Sequence, residues 1–72
     1  MKKRQPCKFG MAIKSRLLEM NQTQTWLIEE VKRITGLYVD SSLMFKIITG
    51  EREPAKIVQA IRSVLKLSDE KN

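Results

Sequence analysis

The chain has no histidine and a single cysteine, Cys7. Without histidine it lacks the commonest metal ligand and the one side chain whose ordinary titration lies near neutral pH. One cysteine excludes an intramolecular disulfide and any cysteine-based metal site. Cys7 reads as an exposed and unreactive thiol, because no base lies near it in the sequence. Long apolar runs are also missing: nothing approaches the roughly 20 residues needed to span a bilayer. The basic start, Met1-Lys2-Lys3-Arg4-Gln5-Pro6, is not followed by a continuous apolar segment, since Lys8, Lys14 and Arg16 interrupt it. No signal peptide is therefore expected, and the reading is of a soluble, cytoplasmic protein. There is no internal repeat and no low-complexity stretch. Strands find little support, because nothing alternates cleanly and Leu37-Tyr38-Val39 is too short to build a sheet by itself.

What is present is a charged but foldable chain. Its 72 residues are 42% hydrophobic and 31% charged, a composition that argues for one folded domain and against disorder. A domain of this size buries only about 60% of the surface its unfolded chain exposes, so a large catalytic cleft is not expected. Fourteen Lys and Arg against eight Asp and Glu leave a net charge of +6, which favours a polyanionic partner. A membrane surface fits poorly, because no predicted helix has a purely basic polar face. An enzyme fits poorly too. Its acid–base pair would have to come from carboxylates such as Glu29, Glu30, Glu51 and Glu53, all in contexts that read as solvated. No cofactor, metal or small-molecule substrate is expected.

Periodicity predicts an all-α fold of four helices, five at most. Residues 1–7 read as a basic arm, either a solvated tail or a segment that touches phosphates or a minor groove. The first helix is expected over about Phe9 to Met20, with Phe9, Ile13, Leu17 and Met20 on one face and Leu18 at its edge. Gly10 weakens its first turn. Thr23 suits the cap of a second helix, in which Leu27, Ile28, Val31, Ile34 and Thr35 keep the apolar stripe and Gly36 ends it. Glu29 can pair with Lys32 and with Arg33. Leu37 to Val39 is expected to fold back over the core. Asp40 and Gly50 then bracket a short third helix. Leu43, Met44, Ile47 and Ile48 lie on its inner side, leaving Ser41, Ser42, Phe45 and Lys46 on the outer one. Pro54 suits the first position of a last helix reaching about Lys66, and residues 68–72 form a polar tail.

Two helices joined by a short glycine-containing turn make a helix-turn-helix. The wider string adds information: Thr23-Gln24, Leu27-Ile28 and Val31 on the first arm, Ser41-Ser42 and Ile47 on the second, then Gly50, Arg52 and Pro54. It resembles the Cro/CI, or Xre-like, helix-turn-helix family of phage and bacterial repressors over about residues 8–67. The resemblance implies a lambda-repressor-like, all-α domain that binds double-stranded DNA as a transcriptional regulator, often as a homodimer on inverted repeats. Two departures stand out. The second helix is longer than is usual in that family, by the segment Glu30 to Thr35. Trp26 also takes a place that is commonly polar.

The same resemblance assigns roles. Gln24, with the helix N-terminus behind it, matches a phosphate ligand, and Thr23 and Thr25 flank it. Ser41, Ser42 and Phe45 match positions that face base edges, though the serines are equally good caps for the helix start. Lys46 would read a guanine or hold a phosphate, and Arg52 would hold a phosphate; the plainer reading of both is a solvated charge. Tyr38, on the approach to the third helix, completes the candidate set. Phe45 either points outward, where its ring meets thymine methyls, or turns inward and displaces Met44. Trp26 is either partly buried or an exposed anchor. An exposed Trp26 beside an exposed Phe45 would favour the alternative function, a protein-interaction module such as an antirepressor or inhibitor.

Overall fold

The computed structural model describes residues 7–67. Four helices follow one another: α1 (Lys8–Met20), α2 (Gln24–Thr35), α3 (Ser41–Thr49) and α4 (Ala55–Leu65). The described residues contain no strand. The arm over 1–6 and the tail over 68–72 lie outside them.

Local chemistry starts and stops the middle helices. The Thr23 hydroxyl accepts from the Trp26 N–H at 3.1 Å, and the Asp40 carboxylate accepts from the Leu43 N–H at 2.8 Å. Both satisfy donors that a helix start leaves without intrahelical partners. Gly36 and Gly50 close α2 and α3 at φ of +70° and +87°, a region that only glycine enters without strain. Asn21 and Lys66 close α1 and α4 in the same left-handed conformation. Pro54 precedes α4 as its cap, with ψ of 117°, rather than forming its first turn. Its fixed φ of −65° suits either position; the extended ψ is what leaves it outside the helix.

The apolar faces meet in one core. Ile13 and Leu17 come from α1, Leu27, Ile28 and Val31 from α2, and Met44, Ile47 and Ile48 from α3. Ile57, Ala60, Ile61 and Leu65 of α4 and Val39 of the connection complete it. Phe9, Met20, Trp26, Leu43, Val64 and Leu67 pack around that centre. α2 packs most extensively on α4, and α1 spans both α3 and α4. Arg16 on α1 ties the last pair together, donating from Nε to the Leu65 carbonyl at 2.8 Å and pairing with Glu19. A guanidinium suits the negative end of a helix. Arg62 of α4 also lies over the Phe9 ring of α1, 5.0 Å from its centre.

Several expectations are corrected. Leu18 does not edge the core but is 81% exposed. Of the 37–39 bridge only Val39 is buried, while Leu37 and Tyr38 face solvent. The chain bends at Leu37, just past the end of α2, and only Val39 is turned toward the core. Ile34 is half exposed because it lies where the last turn of α2 leaves the core. Glu29 does pair with Lys32, at 3.8 Å, but Arg33 pairs with Glu30 instead of Glu29.

Candidate nucleic-acid interface

α2, the five residues 36–40 and α3 form the helix-turn-helix unit, with α3 held from behind. Met44 is fully buried and Phe45 is half exposed. The alternative rotation, with Phe45 inside, is not the one adopted. The reason lies in phase: Met44, Ile47 and Ile48 already fill the inner stripe, and Phe45 lies about 100° from Met44 around the axis. Ser41, Ser42 and Phe45 therefore share the outer side of α3, which decides the orientation of Phe45 that the sequence pattern leaves open. Lys46 is half-buried.

At the start of α3 the structure adds a contact that sequence reasoning missed. The Tyr38 hydroxyl donates to Asp40 Oδ2 at 2.9 Å while Oδ1 caps Leu43. Both carboxylate oxygens are thus engaged. The Leu43 N–H, then the Tyr38 hydroxyl, hold the Asp40 carboxyl below its ordinary range, with a smaller contribution from the Lys46 charge. The phenol is pushed upward, first by that hydrogen bond and then by the carboxylate charge beside it. Tyr38 is itself exposed, and its hydroxyl links the approach to α3 with the helix cap. A tyrosine two residues before a capping aspartate is the only sequence signal for this pair.

The far end of α3 is fastened by its own exit. The Glu51 and Arg52 N–H groups both donate to the Lys46 carbonyl, at 2.8 and 3.3 Å. That places the exposed Arg52 just beyond the last turn. Thr23, Gln24 and Thr25 are all exposed and form a second polar corner, at the N-terminus of α2. Trp26, next to them, packs against the core and is only partly accessible.

Cys7 is neither an exposed thiol nor part of a free arm. It is half-buried, and it joins α1 to α3. Its backbone N–H donates to the Ile48 carbonyl at 2.9 Å, its sulfur accepts from the Gly10 N–H at 3.4 Å, and its thiol donates to the Ile47 carbonyl at 3.8 Å. The residue is therefore the cap of α1, not the end of a loose arm. Gly10, read as a weak point, is where α1 presses on α3: a Cβ there would lie 2.0 Å from the Ile48 carbonyl oxygen. The glycine has a packing reason that only the neighbouring helix reveals.

Among the described residues no group of three or more His, Cys, Asp or Glu is placed to hold a metal ion, and no helix is long and apolar enough to cross a membrane. Comparison with family models, curated proteins and solved structures found no match to this chain.

Proposed function

We propose that this protein is a sequence-specific, DNA-binding transcriptional regulator of the Cro/CI, Xre-like type, working in the cytoplasm of a bacterium that carries a phage or mobile element. The observation that carries the reading is the outer face of α3. A helix held by Met44, Ile47 and Ile48 presents Ser41, Ser42 and Phe45 outward, with Arg52 at its exit. Hydroxyls bond base edges of either polarity, and an apolar ring suits thymine methyls. Gln24 and Thr25, at the exposed start of α2, lie where backbone N–H groups and the helix dipole favour a phosphate. The net charge of +6 supplies the long-range attraction. The chain acts as a homodimer in this reading, because one small module makes too few contacts for tight specific binding. No catalytic role is assigned to any residue.

The interaction-module reading keeps only one of its two motives. Phe45 is half exposed, but Trp26 packs against the core. A gel-shift titration against DNA upstream of the protein's own gene tests the proposal. Binding should weaken steeply with salt. Lys46→Ala and Arg52→Ala should each reduce affinity, and each lost phosphate contact should lower the salt slope by about one. An absence of binding even at low salt would sink the proposal. Binding that ignores both substitutions would remove α3 and its exit as the contact surface.

A further inference from the structure

Two apolar side chains of α1 serve neither the core nor the DNA reading. Leu18 is 81% exposed, more than any other large apolar residue described, and Met11 is 59% exposed. Ile13 and Leu17 already turn another side of α1 into the core. A single exposed leucine is ordinary, but these two residues are in register. Seven positions apart, they fall within about 20° of each other around the helix and about 10 Å apart along it. The small, exposed Ser15 lies between them, at spacings of four and three. Residues so spaced are the anchors by which one helix seats another. The stripe is also charged at its margins. Lys8 lies one turn before Met11, and Lys14 lies one turn from both Met11 and Leu18; both lysines are exposed. Among the described residues neither lysine has an ion-pair partner. Glu19, the one acidic residue of α1, is already paired with Arg16 at 2.9 Å.

We propose that this stripe docks an acidic amphipathic helix of a partner protein. Apolar side chains of that helix cover Met11 and Leu18, and its flanking carboxylates meet Lys8 and Lys14. The charges select this occupant over the others that an apolar stripe admits. A second copy seated antiparallel would set Lys14 opposite Lys14, because that residue lies near the middle of the stripe, and like charges across an interface are costly. A DNA phosphate would satisfy the lysines but leave Met11 and Leu18 in water. An anionic membrane calls for a broad apolar face, whereas this stripe covers only about 60° of the helix over about two turns. Two anchors and two charge pairs make a small contact, so the association is weak and reversible. None of the residues assigned to DNA takes part, so the docking face stands whether or not the chain binds DNA.

The test uses the full chain and two synthetic peptides with leucine along one helical face. One peptide carries glutamate on the flanks of that face and the other carries lysine. Fluorescence anisotropy of the labelled peptide measures binding, and amide chemical shifts of the full chain locate it. The glutamate peptide should bind weakly but saturably and move the signals of Met11, Lys14, Ser15 and Leu18, while the lysine peptide should not bind. Met11→Ala and Leu18→Ala, both at exposed positions, should keep helical content, alanine being the best helix former, and each should weaken binding by about tenfold or more. Lys14→Glu should weaken the glutamate peptide and admit the lysine peptide, a reversal that a merely structural role would not produce. Equal binding of both peptides, binding indifferent to Leu18→Ala, or shifts confined to other helices overturns the proposal, as does the absence of any binding. Dimerisation of wild type in sedimentation that Leu18→Ala abolishes would give the stripe to a second copy instead. Adsorption to vesicles of anionic phospholipid that Leu18→Ala abolishes would give it to a membrane.

Discussion

Replacing Gly10 with alanine sets local preference against tertiary contact, and the two predict opposite signs. Within a helix, alanine is more favourable than glycine by about 1 kcal/mol, so helix propensity alone predicts a more stable protein. The structure predicts the reverse. The added carbon would lie 2.0 Å from the Ile48 carbonyl oxygen, 2.8 Å from its carbon and 2.9 Å from Ile48 Cγ2. Two of those three atoms are backbone and cannot swing aside, so α1 must move from α3 by about 1 Å or more to restore ordinary contact. Forcing a methyl into a packed contact costs about 1–3 kcal/mol. The shift also strains the Cys7 N–H bond to that same carbonyl, a bond worth about 0.5–1.5 kcal/mol. Even after the gain in propensity, the variant should be less stable by about 0.5–3.5 kcal/mol. At about 4–8 °C per kcal/mol for a domain this small, the thermal midpoint should fall by roughly 2–28 °C. Urea and thermal unfolding followed by circular dichroism measure it directly. An alanine variant as stable as wild type, or more so, would refute the close approach of α1 to α3.

Two further substitutions and one titration test other parts of the argument. Met44→Ala should cost about 2–5 kcal/mol, because Met44 is fully buried, whereas Phe45→Ala on the outer face should cost clearly less; equal losses in urea midpoint would contradict the rotation of α3. Asp40 has a lowered folded-state pKa, so its contribution is fully present above the unfolded value near 3.8 and is lost as pH falls through the lower folded value. Asp40→Asn keeps a capping oxygen and should flatten the acid limb of a stability profile as pH falls through and below 3.8, and an unchanged limb would count against the Leu43 and Tyr38 bonds.

The elements that could be read from the sequence are those whose cause lies within a few residues. Thr23 and Asp40 cap because their oxygens reach an N–H three positions on, and Gly36 and Gly50 end helices because their own backbone is permissive. The 3–4 spacing of Ile13 and Leu17, or of Met44, Ile47 and Ile48, also selects the inner face without knowledge of what it meets. The outer residues of α3 follow from the inner ones, so Ser41 and Ser42 were legible as a surface, whereas the choice of Met44 over Phe45 for the core was settled only by packing. Pro54 marked the approach to α4, but its exact place depended on one backbone angle.

What needed the folded molecule involves atoms far apart in the chain. Cys7 reaches the end of α3 across some forty residues, and Arg16 reaches Leu65 across forty-nine. Neither pairing has a periodicity or a spacing that announces it. Gly10 illustrates the division most plainly. Its intrinsic effect on a helix is a property of the residue and can be assigned from the sequence. The need for a missing side chain arises only when a second backbone arrives 2.0 Å from where that side chain would be. The choice of Trp26 for the core margin and Tyr38 for solvent is of the same kind. Large rings gain from burial wherever they are, and only the packing of α2, α3 and α4 decides which of them has room to be buried.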